Sequence, residues 1–456
     1  MSTSKARPGL RRSLSVTDVV LITVSGVTPA SSIFVIAPFA LQGAGSGAFL
    51  AFALAALLAA AFALCYAELG AAHPNAGGEY VMIERVFGRR LSLLMYLLIL
   101  CLLLFVPAVL ATGAAPYLNS ALGIRLDGAE VALAMIVLCF GIAVLDIKLN
   151  AWLTGSFLLL EVAALTLIAW LGFSEARQPA AVLWQPVMAA VDGGLATVPV
   201  AAIAAMAGIA VFAYNGFGGA VYFAEDMRES GRPVAQAVLA TLLIVVLVEL
   251  IPVTALILGA PSLAELSRQA DPIHYVLSHL SSPAVARVIS GGIFLSVFNA
   301  IIAIVVQSGR FLYSSGRDGL WPAPASRALQ RIHPRFGTPW VATLALALPS
   351  ALLTFHSSLA GLASFTVIIL MLSYLLLALA ALRSRRGRHP HPYRMPWWPW
   401  PPLLAAAGSV YLLWAALRDA PARDGWIMAG IVLAGVLLAA QRPRRKVLII
   451  DEQKER

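Results

Sequence analysis

Charge is what this chain of 456 residues has little of. Asp, Glu, Lys and Arg make up 12% of it, against 60% hydrophobic residues and a mean hydropathy of +0.85. A soluble domain carries roughly twice that charged fraction, so a water-solvated globule is excluded. Cysteine is scarce too. Cys65, Cys101 and Cys139 all fall inside apolar runs, which argues against a disulfide framework and for inert core thiols. The seven His show no metal-ligand spacing, and neither a metal site nor a cofactor follows. The period-two alternation of a membrane β-barrel is missing. The basic head of the chain (Lys5, Arg7, Arg11, Arg12) precedes an apolar stretch too long for a signal peptide and without a clear cleavage site.

What is present is a series of apolar runs of the length, about 20 residues, that a bilayer-crossing helix needs. They predict an all-α membrane protein of about twelve spans. Boundaries fall near 17–42, 46–70, 90–117, 129–147, 150–173, 198–226, 233–259, 283–312, 338–356, 358–382, 400–417 and 424–441. With the N-terminus inside, only Arg125, Arg177, Arg268, Arg287, Arg418 and Arg423 of the 32 Lys and Arg lie outside. The positive-inside rule thus puts both termini in the cytoplasm and turns the +10 net charge into an orientation signal; nucleic acid is not an expected partner. The excess of Arg over Lys and the abundant Ala point to a GC-rich bacterial gene, hence a bacterial cytoplasmic membrane.

Two spans are interrupted. The first reads Val24-Ser25-Gly26-Val27-Thr28-Pro29-Ala30-Ser31-Ser32-Ile33, the sixth Phe212-Ala213-Tyr214-Asn215-Gly216-Phe217-Gly218-Gly219. Proline removes a helix donor and glycine loosens the backbone. In hydrocarbon such breaks survive where they line a cavity. Five spans separate the two, so the second copy of a five-span unit starts on the opposite side of the membrane. The expected organisation is a cytoplasmic tail (1–16), a first repeat (17–173) and an inverted second repeat (198–382). A basic, Trp-rich cytoplasmic loop (383–399), helices eleven and twelve (400–441) and a tail (442–456) follow. Paired interrupted helices mark a transporter's binding site.

At these residues the sequence resembles the amino acid–polyamine–organocation (APC) family of permeases, whose members adopt the LeuT-type 5+5 inverted-repeat fold. The matching patterns run in family order over roughly residues 15–380. They are Ala30-Ser31-Ser32-Ile33-Phe34; Tyr66-Ala67-Glu68-Leu69 with Pro74-Asn75-Ala76-Gly77-Gly78-Glu79-Tyr80; Phe212 to Phe217 with Ala224-Glu225-Asp226 and Arg232-Pro233; Ser308-Gly309-Arg310-Phe311-Leu312-Tyr313 with Arg317-Asp318-Gly319; and Gly337-Thr338-Pro339. Departures accompany them. Many relatives carry Gly-Ser-Gly at Ala30-Ser31-Ser32. Some exchangers have an acidic residue at Gly218, and proton-coupled relatives often place a lysine at Glu161.

A zwitterionic substrate needs donors for its carboxylate and acceptors for its ammonium, and a broken helix supplies both. Free N–H groups at Ala30, Ser31 and Ser32 face the carboxylate at the positive end of a helix dipole. The carbonyls from Val24 through Ser25, Gly26, Val27 and Thr28 face the ammonium. The second break adds carbonyls near Phe212 and Tyr214, the Asn215 side chain and the flexible Gly216. The resemblance implies that Phe212 lies over the substrate. It also implies that Cys101-Leu102-Leu103-Leu104-Phe105-Val106 forms one wall, which offers no carboxylate and favours a small or apolar side chain.

Glu161 is the sharpest single residue. A carboxyl at mid-membrane costs about 2–3 kcal/mol on insertion scales and marks function by default. Three readings stay open: a proton carrier coupled to transport, a ligand for a substrate amine, or a structural group bonded to the first break. Glu249 is also intramembrane but adjoins no motif, and a structural role is expected. Glu79, Glu225, Asp226, Arg310 and Arg317 cluster near the inner face as a candidate gate or as solvated loop charges. The expectation is a secondary transporter rather than an enzyme, importing a small neutral or apolar amino acid with protons. Sodium independence is implied by the resemblance. The alternatives are a polyamine or biogenic amine importer, an amino acid exchanger and, from another class, a channel or membrane-embedded enzyme. Oligomeric state is unreadable.

Overall fold

The computed structural model describes residues 12–190, 192, 194–269, 272–280, 283–356, 359–386, 391–419 and 430. The sequence-predicted span at 424–441 and the tail 442–456 lie outside the described residues apart from Gly430, as do residues 1–11 of the N-terminal tail.

The chain opens with α1 (Val16–Val27), α2 (Pro29–Ser31), a π-helical turn (Ser32–Ile36) and α3 (Ala37–Ala44). Helices α4 (Ala48–Ala72), α5 (Glu79–Phe87), α6 (Arg89–Leu122), α7 (Gly128–Ala143) and α8 (Ile147–Ser174) follow. A short antiparallel hairpin, β1 (Val187–Ala189) with β2 (Leu195–Thr197), leads into α9 (Val200–Ala213) and a 3₁₀ segment (Phe217–Phe223). Next come α10 (Arg232–Gly259), α11 (Leu263–Arg268), α12 (Pro272–Leu280), α13 (Pro283–Arg317) and α14 (Ala323–Leu329). The described helices end with α15 (Trp340–Leu344), α16 (Ala347–His356), α17 (Leu359–Ser384) and α18 (Trp400–Asp419).

Among the described residues, eight helical stretches are long and apolar enough to cross a bilayer: Val16–Ala72, Arg89–Leu122, Ile147–Ser174, Val200–Phe223, Arg232–Gly259, Arg287–Arg317, Thr366–Ser384 and Trp400–Arg418. The first contains both of the opening predicted spans. Predicted spans four and nine fall on shorter apolar helices, Gly128–Ala143 and Trp340–Thr354. At 1.5 Å per residue, the 16 residues of α7 reach about 24 Å, short of the ~30 Å hydrocarbon layer. The chain is therefore a multi-pass membrane protein. Its outer surface agrees: Trp152, Leu159 and Trp170 on α8 are 69%, 70% and 70% exposed, a patch that calls for lipid rather than water.

Local chemistry sets the helix ends. Ser15 and Asp18 form a reciprocal capping box on α1: Ser15 N–H donates to Asp18 Oδ2 at 2.8 Å and Asp18 N–H to Ser15 Oγ at 3.2 Å. Asp127 caps α7, and Asp146 caps α8 by accepting the Lys148 backbone N–H. The strand-like segment before α1 is tied down as well. Ser13 and Leu14 N–H donate to the Asp226 carbonyl, and Arg228 N–H returns to Leu14. The start of the chain is thereby joined to the end of the 3₁₀ segment.

Candidate functional site

The two interrupted helices meet. Thr28 ends α1 in the left-handed region at φ 53°, an uncommon conformation for a β-branched residue. Pro29 has no N–H to offer the Ser25 carbonyl, and the Ala30 N–H is drawn away from Gly26 to Glu161. The last turn of α1 thus loses two ladder donors. A π turn follows directly, a feature that recurs at functional sites. At the second break, Gly216 sits at φ 118°, where a Cβ would fall 2.9 Å from Val27 Cγ2. Only glycine accepts both that dihedral angle and that approach. Ser32 Oγ donates to the Ala213 carbonyl at 3.0 Å, so the breaks are joined by a hydrogen bond as well as by packing.

Glu161, on α8 and 3% exposed, accepts the Ala30 N–H on Oε1 at 2.6 Å; its Oε2 has no partner. This is a short bond at the start of the helical run that continues to Ala44. The donor expected for a substrate carboxylate is taken by a carboxylate of the protein itself. Ser296 on α13 lies beside the same carboxyl.

Other predicted ligands are also engaged internally. Ser25 Oγ donates to the Thr154 carbonyl at 3.0 Å, a carbonyl that Asn299 also uses at 3.1 Å. Asn215 Oδ1 accepts the Tyr374 hydroxyl at 2.6 Å. The Phe212 carbonyl accepts the Asn215 N–H, and its ring is half-buried. Thr28 Oγ1, Ser31 Oγ and the Tyr214 hydroxyl are buried without a hydrogen-bond partner. In the stretch 101–106, Leu103 is buried and the Leu104 carbonyl accepts from Ser350.

Three residues that the sequence reading did not assign to the site belong to the same neighbourhood. Glu249, expected to adjoin no motif, lies within electrostatic range of Ser32, Tyr214 and Glu161. It is wholly buried, with both oxygens unpartnered. Gln307 on α13 is wedged between the breaks: a Cβ on Gly26 would lie 3.1 Å from its Nε2, and one on Gly219 2.6 Å from its Oε1. Tyr374 reaches in from α17. The one signal in the sequence was a polar side chain inside an apolar run.

At the end of the bundle expected to face the cytoplasm, four of the five candidate gate charges form pairs. Arg310 and Asp226 are both buried and meet at 3.2 Å. Arg317 holds Glu225 through two bonds of 2.6 and 2.8 Å. Glu79 takes no cation; Tyr66 donates to it at 3.0 Å and Tyr222 lies beside it. Burial pushes the Glu79 carboxyl up to about 7. Above it, Tyr66, Phe217 and Tyr374 pack ring against ring. Among the described residues no group of three or more His, Cys, Asp or Glu converges as a metal site requires. A groove of about 520 Å³ between α8 and α10, lined by Thr166, Ala169, Trp170, Phe173, Ser174 and Ile251, is apolar and holds none of these groups.

Comparison with known proteins identifies the family. The chain is similar to a branched-chain amino acid permease of Bacillus subtilis (strain 168), 24% identical over 95% of this chain and 94% of that protein. It is similar to the methylthioribose transporter of the same organism, 24% identical over 91% and 90%. It is also similar to human cationic amino acid transporter 4, 24% identical over 85% of this chain and 62% of that one. The profile of the amino acid permease family matches residues 14–437. The chain belongs to that family, within the APC group, and is an amino acid transporter rather than an enzyme.

Proposed function

We propose that this permease is a secondary active transporter that imports a small neutral or apolar amino acid by alternating access, coupled to protons and independent of sodium. It works in a bacterial cytoplasmic membrane with both termini inside. Its architecture is a 5+5 inverted repeat with α1–α3 and α9 to Phe223 as the equivalent broken helices, followed by two further helices.

The observation that carries the reading is the Glu161 carboxylate on the Ala30 N–H. It occupies the place of a substrate carboxylate. On arrival the substrate displaces Glu161, whose charge then has neither donor nor cation in a dry site. A proton neutralises it, and substrate and proton enter together. When both leave, Glu161 returns to Ala30 and resets the site. Ser31, Thr28 and Tyr214, buried and unpartnered, supply further polar contacts, and the carbonyls of Ser25 and Gly26 take the ammonium. The relatives named as branched-chain permeases and the apolar 101–106 stretch favour an apolar side chain. A second reading rests on Glu249: a second carboxyl beside the breaks suits an additional amine, as in a cationic amino acid or a polyamine.

Uptake by proteoliposomes of labelled Gly, Ala, Leu, Arg, Glu and putrescine, with and without an inward proton gradient, tests the proposal. Gradient-dependent accumulation of Ala or Leu is expected, with Glu161→Gln keeping counterflow and losing pH dependence. If Arg or putrescine wins, the second reading replaces the first. If Glu161→Gln keeps the wild-type pH profile, proton coupling through this residue is wrong.

A further inference from the structure

The stretch between α17 and α18 is clamped onto the end of α4. Glu68, with no exposed surface, accepts Arg385 Nε at 2.7 Å, Arg385 Nη2 at 2.6 Å and the Met395 N–H at 2.7 Å. Arg385 Nη2 also donates to the Met395 carbonyl at 3.0 Å, which draws residues 385 and 395 together. The Arg385 guanidinium lies over the Trp398 ring, 5.3 Å from its centre. On the flank, Arg383 Nε donates to the Val86 carbonyl at 3.4 Å and its guanidinium lies over Phe87. The end of α17 thereby meets the end of α5.

What this clamp displays is aromatic and basic. Trp397 and Trp400 are 77% and 71% exposed. Trp397 has φ 54°, uncommon for a bulky side chain and kept only where the surrounding structure over-determines it. Its carbonyl accepts the Trp400 N–H at 2.9 Å as α18 begins. Arg386 follows Arg385 and Arg394 precedes Met395, so the clamp brings these two exposed arginines to neighbouring positions. Exposed Arg85 adjoins Val86 on the flank. Among the described residues none of these three forms an ion pair. Pro392 also adjoins Gly231, where a Cβ would lie 3.6 Å from it; that segment brings Glu229 but also Arg228 and Arg232. The surface stays basic. Loop orientation alone calls for arginines, but not for a buried carboxylate clamp or a strained tryptophan.

We propose that this ledge binds the headgroup of an anionic phospholipid, held by Arg386 and Arg394 beside the Trp397 and Trp400 rings. The apolar stretch Trp400–Arg418 is long enough to cross the bilayer, so both rings stand at its end, the depth at which indoles meet headgroups. Arginines at that depth meet phosphodiesters, to which a guanidinium gives parallel N–H···O bonds. A zwitterionic headgroup carries the same phosphate together with a cation of its own. A glycerol headgroup carries no cation, and the preference for anionic lipid follows from that difference. Glu68 is a positioning residue here: it engages Arg385 and the Met395 N–H and leaves Arg386 and Arg394 to the lipid.

Tryptophan fluorescence of the full chain in phosphatidylcholine vesicles tests the ledge without any transported compound. A fixed fraction of the lipid is replaced by brominated phosphatidylglycerol or by brominated phosphatidylcholine as quencher. The wild type is expected to be quenched more by the phosphatidylglycerol. Arg386→Gln/Arg394→Gln, which leaves the Glu68 clamp intact, is expected to lower that preference about tenfold or more without moving the melting temperature. Trp397→Phe/Trp400→Phe removes the reporters and with them the excess quenching. Arg125→Gln, an exposed arginine at the other end of the bundle, is expected to keep it. Equal quenching by the two lipids, or a preference that survives the double glutamine variant, overturns the proposal. So does a preference that Arg125→Gln reduces as much, which would make it an effect of net charge. Loss of the excess on adding glycerol 3-phosphate would name a soluble anion as the occupant and overturn the lipid assignment.

Discussion

The buried carboxyls of this permease fall into two groups that differ by location rather than by burial. Toward the end of the bundle that holds Glu79, Asp226 has Arg310 at 3.2 Å and Glu68 has Arg385 through bonds of 2.7 and 2.6 Å plus the Met395 N–H, while Glu79 itself has no cation. Beside the breaks, Glu161 has one backbone N–H and Glu249 has no partner that meets hydrogen-bond geometry. The first group is neutralised internally and has a fixed structure to hold. The second is kept short of partners, an arrangement that costs stability and leaves polar atoms available to a ligand. Paired buried charge in this fold is architecture; beside the two breaks, unpaired buried carboxyls mark the candidate site.

The largest effect that follows is on the Arg310–Asp226 pair. Removing one partner of a buried pair costs about 3–5 kcal/mol, and the two removals are unequal. Asp226→Asn leaves a guanidinium that cannot shed its proton, whereas Arg310→Gln leaves a carboxyl that can take one up. Thermal unfolding in detergent is expected to drop most for Asp226→Asn, less for Arg310→Gln, and least for Glu161→Gln, which removes charge from a group with no cation. Equal losses across the three would erase the distinction between the groups.

A smaller effect concerns the contact between the breaks. Gly216→Ala places a Cβ 2.9 Å from Val27 Cγ2 at φ 118°, which costs about 1–3 kcal/mol in strain. Because that strain falls where α1 and α9 meet, uptake is expected to fall by more than stability predicts. An alanine variant with wild-type uptake would mean that the breaks do not need this approach.

Glu79 stands between the two groups, since it is buried without a cation but lies outside the long apolar helices. Its carboxyl is raised from 4.5 to about 7 by burial. The native state therefore keeps a proton that the unfolded chain has already released. Stability from this group is full below about 4.5 and is lost as pH rises toward 7. Glu79→Gln is expected to flatten that decline in a series of melting curves, and a decline of unchanged slope would assign it to other groups.

The sequence was most legible where a local rule forces the backbone. Pro29 and Gly216 mark the breaks because one lacks a donor and the other accepts a dihedral angle that side chains refuse. It was least legible where partners come from distant segments. Asn215 meets Tyr374 across 159 residues, and Ala30 meets Glu161 across 131. Nothing in either residue's own neighbourhood names the other. Glu249 was visible as an intramembrane carboxyl, yet its place depends on how α10 packs against the π turn, which hydropathy does not encode. The inner-face charges, with solvated loop charges as one sequence reading, proved partly buried for the same reason: pairing is a property of the packed helices.

The smallest effect tests whether the inner-face pairs are architecture alone. Arg317 and Glu225 make a two-bond pair, but Arg317 is 35% exposed and Glu225 23%. Solvent screening holds such a pair to about 1 kcal/mol or less, declining further with salt. Yet Glu225 also accepts the Ala76 N–H at 3.1 Å, and Ser314 accepts from Arg317 at 3.2 Å. The pair thus fastens the loop before α5, the end of the 3₁₀ segment and the end of α13 together. An exposed latch of this kind adds little to the folded state but, in the proposed alternating-access cycle, must open whenever this side opens. Arg317→Gln is therefore expected to leave the melting temperature nearly unchanged while raising the counterflow rate, with the difference from wild type shrinking in high salt. A variant that loses stability but not rate would place Arg317 with Arg310 as structure, and the comparison would then separate the site from everything else rather than one end of the molecule from the other.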